Sequence, residues 1–183
     1  MRVITGTARG RKLKTLEGLD VRPTTEVVKE AVFSIVHFVV PYANVLDLFA
    51  GSGQMGIEAL SRGAAKAVFV DSSRRSQEVI KENLTAVGLM KQARVIADDA
   101  VSFLSHTAET YDIIFLDPPY DLGFAPKILP LLGRCLAPEG IVLFEHRKGE
   151  NMPEAVGELQ MKKQYTYGKT VVTTYVKVPA EQD

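Results

Sequence analysis

Cysteine is almost absent from this sequence. Cys135 stands alone among 183 residues, so no disulfide can form within the chain, and its setting in "LLGRCLAPEG" predicts a packed, small apolar thiol in a helical stretch. Neither sign of charge is in excess: 22 Lys and Arg balance 22 Asp and Glu, so the chain as a whole does not advertise a polyanion as its partner. Apolar runs are short, and none approaches the roughly 20 residues that cross a bilayer. The opening "MRVITGTARGRK" lacks the apolar core of a secretion signal. These absences predict a cytoplasmic protein with no membrane partner. The three histidines, His37, His106 and His146, share no metal-ligand spacing, and no Ser/His/Asp or Cys/His arrangement is evident, so no metal is expected. Internal repeats and low-complexity linkers are missing as well. A length of 183 residues, 46% hydrophobic and 24% charged, fits a single domain over 1–183 with a full core, expected to act as a monomer.

Charge is present where it is unbalanced. Residues 1–40 carry seven basic side chains against four acids, and residues 1–14 carry five (Arg2, Arg9, Arg11, Lys12 and Lys14) against none. The segments "RVITG" and "RKLKT" can pair as a hairpin around Ala8–Gly10, giving a basic extension over 1–22. Such an arm on a near-neutral body suits phosphate contact through Arg9, Arg11 and Lys12, or else is an ordinary solvated hairpin.

Beyond it, a helix is expected from Thr24 or Thr25 to Val40, stopped by Pro41. Short apolar runs and helical patterns then alternate. "NVLDLFA" reads as a buried strand, "GQMGIEALSRG" as a helix stopped at Gly63, "AKAVFVD" as a strand, and "RRSQEVIKENLTAVG" as a helix closed by Gly88. "ARVIADDA", "AVSFLSH" and "YDIIFLDPPY" continue as strand, helix, strand. "APKILPLLGRCLA" is helical, kinked at Pro130, and "GIVLFEH" is a fifth strand. The end, "ELQMKKQYTYGKTVVTTYVKV", breaks the rhythm and reads as two antiparallel strands joined at "TYGKT". The repetition predicts an α/β protein with a parallel sheet covered on both faces.

In such sheets ligands sit beyond the carboxyl ends of the strands. Asp47 with its glycine loop, Asp71, Asp98/Asp99 and "DPPY" at Asp117–Tyr120 all converge there. The loop contains a literal G-x-G-x-x-G at Gly51, Gly53 and Gly56, which by itself suggests a dinucleotide. Asp47 argues otherwise, because a carboxylate beside a pyrophosphate adds repulsion. S-adenosyl-L-methionine carries an ammonium and a sulfonium and no phosphate, and so suits that acid. Asp71 can bind ribose hydroxyls in either case. Asp99 can accept from an adenine amine or cap the next helix.

"DPPY" weighs in the same direction. Two prolines after a strand fix a rigid exit and remove two backbone donors. Asp117 and the Pro118 carbonyl can then hold both protons of an –NH2 group, Pro119 stiffens the exit, and Tyr120 offers a flat face to a planar base. A conjugated amine held this way points its lone pair outward, so orientation rather than a strong base carries the reaction. A proline-terminated strand whose aspartate caps a turn is the plainer reading.

With "LDLFAGSG", "GIEALSRGA", "FLDPPY" and "RPTTEVVKEAVFSIV" in place, the chain resembles the bacterial 16S rRNA guanine-N2 methyltransferases, the small-subunit methyltransferase D family, from "GRKL" near its start to "YGKT" near its end. The resemblance implies a Rossmann-like, seven-stranded class I methyltransferase sheet with an N-terminal β-hairpin extension that touches RNA, and guanine 966 of 16S rRNA as target. It implies Asp47, Phe49, Gly51 and Gly53 as the cofactor loop, Asp71 as the ribose carboxylate, Asp99 with Ala100 at the adenine edge, and Asp117, Pro118, Pro119 and Tyr120 as the catalytic tetrapeptide. Arg22, Pro23 and Thr24 match the motif beside cofactor and target base. Two positions depart from the family: Glu26-Val27 replaces its usual Asp-Arg, and Gln54 replaces a small residue.

Three functions are therefore compatible with the residues: methylation of a guanine amine in 16S rRNA, free or within a small-subunit assembly particle; the same chemistry on a DNA adenine or a protein glutamine; and a non-catalytic RNA-binding module. Asparagine in place of Asp117 would suit the glutamine target better, and no separate DNA-recognition domain is visible.

Overall fold

Apolar runs and amphipathic stretches fold as a twisted open sheet with helices on both sides, in a computed structural model that describes residues 1–16, 23–119 and 123–179. Strands β1 (Asn44–Leu48), β2 (Lys66–Asp71), β3 (Ala93–Ala97), β4 (Tyr111–Leu116) and β5 (Leu136–Arg147) run parallel. Strands β6 (Ala155–Val156), β7 (Leu159–Tyr167) and β8 (Thr170–Lys177) complete the sheet in the order β3-β2-β1-β4-β5-β8-β7-β6. β8 pairs antiparallel with both β5 and β7, as the change of pattern after "GIVLFEH" predicts. The sheet has eight strands rather than seven: the two-residue β6 pairs with the start of β7 and is too short to register as an apolar alternation.

Strand alternation assigns the two cores. Odd-numbered positions Val45, Phe69, Ile113, Phe115, Ile141 and Leu143 face helices α1 (Pro23–Ile35), α2 (Gln54–Ser61) and α3 (Arg74–Val87). The intervening Leu46, Val70, Ile114, Leu116, Val142 and Phe144 face α4 (Ala100–His106) and α5 (Ala125–Leu132). Both faces of β1 and β4 are thus buried, which is why these strands read as continuous apolar runs.

Helix limits follow local chemistry. The Ser73 hydroxyl accepts from the Ser76 N–H and caps α3, and Gly88 ends it in a left-handed conformation, φ 73°. Two helices end earlier than their apolar patterns suggest. α1 stops at Ile35, not Val40: the N–H groups of Val39 and Val40 both bond the Val36 carbonyl, and Tyr42 turns through φ 64°. The β-branched Val36, Val39 and Val40 are poor helix formers, and Pro41 biases Val40 toward an extended conformation. α5 ends at Leu132 and passes through a 3-10 turn, Gly133–Cys135, into a β5 that begins at Leu136. Cys135 is nevertheless buried, as its neighbours predict.

The basic N-terminus does form a hairpin. Arg2 and Lys12 are bridged antiparallel, and the Val3 N–H bonds the Arg11 carbonyl at 2.9 Å. It is docked by side chains rather than by a ladder. Buried Glu58 accepts from the Ile4 N–H at 2.7 Å and the Thr5 N–H at 3.1 Å, while pairing with Lys29 at 3.3 Å and Arg62 at 3.2 Å. The Ser61 hydroxyl donates to the Thr5 carbonyl and accepts from the Ala8 N–H.

Candidate active site

The chain leaves β1 through a tightly determined loop. Phe49 holds φ 57°, a left-handed conformation rare for a bulky residue, and its ring meets Phe124 edge-on at 5.0 Å. Gly51 and Gly53 also have positive φ, and the Gly51 N–H bonds Asp71 Oδ2 at 2.9 Å. Gly56 is required for a different reason: a Cβ there would lie 2.4 Å from the Phe69 ring. Asp47 Oδ2 accepts the Gly56 N–H at 3.0 Å, so this buried carboxylate also fixes the start of α2. Burial, and then the charges of Asp117 and Asp71, push the Asp47 carboxyl up to about 8 against the pull of the Gly56 N–H.

Opposite the loop, β4 ends at Leu116 and runs into Asp117, Pro118 and Pro119. Pro118 is buried and Pro119 exposed. Asp117 opens onto the cleft, but the strand ends around its carboxyl strip away enough water to raise it to about 6, an effect that cleft water partly offsets. By alternation Asp117 continues the α1-facing side of β4, as Asp47 does on β1. Between them lies a cleft lined by Asp47, Phe49, Gln54, Phe115, Asp117 and Glu145.

The other expected site residues fall into place unevenly. Asp71 accepts from the Gly51 and Ser73 N–H groups, and a carboxylate keeps lone pairs beyond those two bonds. Asp99 caps α4 by accepting the Ser102 N–H at 3.0 Å, so capping is a role it certainly has, and Ala100 is buried behind it. Thr24 lies in the first turn of α1. Arg22 and Tyr120 fall outside the described residues. Arg9 and Lys12 are exposed on the hairpin, whose turn rests on Ser61 at the far end of α2 from the glycine loop. Arg11 is exposed too, but its guanidinium is hydrogen-bonded to the Ala86 carbonyl near the end of α3. Two of the three histidines have hydrogen-bond partners, His106 the Ser102 carbonyl and buried His146 the Thr173 hydroxyl, and the His37 ring meets that of Phe38. Among the described residues no group of three His, Cys, Asp or Glu side chains is placed to hold a metal.

Three residues that local patterns do not announce belong to this site. Glu145 lies near the end of β5 and lines the cleft beside Asp117; burial, then the Asp117 charge, push its carboxyl up to about 8. Gln54 lines the same cleft with its side-chain oxygen buried and without a hydrogen-bond partner among the described residues. Buried Asn83, on α3, donates to the carbonyls of Ser52 in the glycine loop and Lys14 in the N-terminal arm, and so ties the two together. The only available signal for Gln54 is its departure from the family's small residue. The other two depend on contacts distant in sequence.

Three carboxyls on one face of adjacent strands, all raised, with a buried acceptor beside them that has no partner among the described residues, suit a ligand that brings positive charge and N–H donors. An open sheet of this order, with a glycine loop after its first strand and carboxylates at the ends of the next four, is the class I methyltransferase fold. Residues 1–176 match the family described as Conserved hypothetical protein 95, and the chain belongs to that family. Ribosomal RNA small subunit methyltransferase D of Escherichia coli (strain K12) is 33% identical over 177 residues, covering 96% of this chain and 89% of that protein. YlbH of Bacillus subtilis (strain 168) is 41% identical over 182 residues, covering 97% and 99%. A solved Escherichia coli structure, yhhF, is similar with a TM-score of 0.87 at 33% identity, covering 97% of this chain and 98% of that one.

Proposed function

We propose that this protein transfers a methyl group from S-adenosyl-L-methionine to the exocyclic N2 amine of a guanine in 16S rRNA, with guanine 966 as the target the family resemblance implies. The observation that carries the reading is the meeting of two features in one cleft: the Asp47 glycine loop and the Asp117–Pro118–Pro119 exit from β4. When bound, the cofactor supplies a methyl group on a sulfonium. Asp47 would face its cationic end, Gly51 and Gly53 would let the backbone come close, Asp71 would take ribose hydroxyls, and Asp99 with Ala100 would meet the adenine edge. Arg22 and Thr24 are assigned to cofactor binding, in the motif that the resemblance sets beside the cofactor and the target base.

Asp117 and the Pro118 carbonyl accept from the two N–H groups of the amine and aim its lone pair, while Tyr120 stacks on the ring. An aromatic amine is nearly non-basic, so its orientation matters more than prior deprotonation. Asp117, raised toward neutrality, can hold a proton once the nitrogen becomes cationic, and water in the open cleft can carry it away. Arg9, Arg11 and Lys12 are assigned to rRNA phosphates, with Arg11 also serving α3. The carboxylates argue against a dinucleotide, so calorimetry should find binding of S-adenosylmethionine and none of NAD.

The test is transfer of tritiated methyl to naked 16S rRNA, small-subunit particles, DNA and protein, followed by nucleoside digestion. Label in N2-methylguanosine is expected. Label in DNA or protein would favour the wider amino-methyltransferase reading, and RNA binding without transfer would favour a non-catalytic module.

A further inference from the structure

Glu145 has no place in the chemistry so far. It sits one step past the Leu116–Phe144 pair of β4 and β5, level with Asp117 on the same face of the sheet. It is half-buried, and no hydrogen bond or ion pair from the described residues reaches its carboxylate. Its position in the strand order is informative. The glycine loop, Asp71 and Asp99 follow β1, β2 and β3, on one side of Asp117, whereas β5 places Glu145 on the other side. A cofactor held by the first three strands therefore leaves Glu145 facing the group that accepts the methyl.

Chemistry narrows the choice of contact. Asp117 and Glu145 line the same cleft, and an amine held by Asp117 belongs to the edge of a planar ring, so the next atom along that edge is the one offered to Glu145. Guanine offers there an N1–H next to its N2 amine, two donors side by side; adenine offers a lone pair at N1. A second carboxylate next to the one that holds the amine fits the first pattern and repels the second.

We propose that Glu145 determines specificity by accepting a hydrogen bond from the ring N1–H of the target guanine while Asp117 and the Pro118 carbonyl hold the neighbouring amine. The inference rests on the guanine-N2 reading and adds to it the edge by which the base is recognised. The buried Gln54 oxygen in the same cleft, without a hydrogen-bond partner among the described residues, is a further acceptor, which agrees with a site built for N–H groups. Burial and the Asp117 charge hold the free Glu145 carboxyl protonated until about pH 8, and a donor at N1 relieves that cost by stabilising the ionised form.

A short RNA carrying 2,6-diaminopurine in place of the target guanine separates the possibilities. The analogue keeps the amine but has a lone pair at N1. Single-turnover transfer is measured at about pH 8.5, where the ionised form of Glu145 predominates, with wild type and Glu145→Gln, and cofactor affinity is checked by calorimetry. Wild type should prefer guanine by on the order of a hundredfold or more, as a site built around a donor rejects its absence. Glu145→Gln, whose amide can turn to donate, should shrink that preference to about tenfold or less with cofactor affinity unchanged. Equal wild-type rates on both RNAs, or a Glu145→Gln variant that slows both and keeps the ratio, would overturn the inference and leave guanine-N2 transfer standing. Absence of any wild-type transfer to the guanine RNA would overturn both.

Discussion

Asp47 has opposed demands placed on it. Its carboxylate anchors the Gly56 N–H and so the start of α2, yet it sits in an almost dry position near two other acids. Its folded value, about 8, lies above its unfolded value of 3.8, so folding favours the protonated form. The stability this group contributes is complete below the unfolded value and is lost progressively as pH rises toward 8. Asp47→Asn keeps an acceptor for Gly56 and removes the titration. Melting curves of the ligand-free protein should therefore show the variant gaining roughly a few degrees over wild type at pH 8, less at pH 5 and little near pH 4. The same variant should bind S-adenosylmethionine at least about tenfold more weakly, because a buried charge partner is gone. Equal affinity for wild type and variant would remove Asp47 from the cofactor site. Asp47 is conspicuous in the sequence because a charge interrupts an apolar run. Glu145 ends a similar run and is not, because its meaning depends on β5 lying beside Asp117, a fact of register and not of spacing.

At the level of elements, the motif "GIEALSRGA" acquires a physical reason. Glu58 and Ser61 project from α2 toward the N-terminal hairpin and hold its backbone, Lys29 pairs with Glu58 and donates to the Arg2 carbonyl, and Arg62 just past α2 pairs with Glu58. Arg62 also lies over the Phe33 ring at 4.6 Å, joining α2 to α1. Burial lowers the Lys29 pKa and the Glu58 charge opposes that shift, so the lysine depends on its partner. Glu58→Ala should cost about 3–5 kcal/mol, the usual result of stranding a buried charge. Urea denaturation measures the loss, and hydrogen exchange should show residues 3–13 opening first. Uniform protection of the hairpin in this variant would mean that the hairpin docks by other contacts. The docking could not be read locally: apart from its i,i+4 pair with Arg62, Glu58 meets Lys29 and, more than fifty positions away, Ile4 and Thr5. Strands β1–β4, the closure of α3 at Gly88 and the antiparallel pair β7–β8 were legible, because each rests on short-range patterning or a single glycine; the two-residue β6 and the start of β5 were not. The limits of α1 and α5 were not, because their apolar patterns continue past the residues at which the backbone turns.

Across the whole molecule, the sheet separates two tasks. Carboxylates gather at the carboxyl ends of the strands, and the basic hairpin lies along α2 and α3, tied to the glycine loop through Asn83. The arrangement suits an RNA whose backbone lies along the hairpin while one base enters the cleft; turning that base out of its stack costs about a few kcal/mol. Arg9 and Lys12, both exposed, are the cleaner probes, since Arg11 also holds the Ala86 carbonyl. Changing both to Ala should weaken rRNA binding and reduce the slope of log affinity against log salt by roughly one to two. Cofactor affinity should not change. An unaltered slope would make the hairpin a structural element alone.

Transfer from a cleft that orients an amine through Asp117 is tested most directly by single-turnover methylation of 16S rRNA with Asp117→Ala and Asp117→Asn, S-adenosylmethionine binding being measured for each by calorimetry. The alanine variant should lose on the order of a hundredfold or more in rate while still binding the cofactor, as expected for removal of one preorganised polar partner. Asparagine keeps one acceptor oxygen and the side-chain shape, so it should retain more activity than alanine. An Asp117→Ala protein that transfers methyl groups at the wild-type rate would contradict the account, leaving "DPPY" as the end of a strand and nothing more.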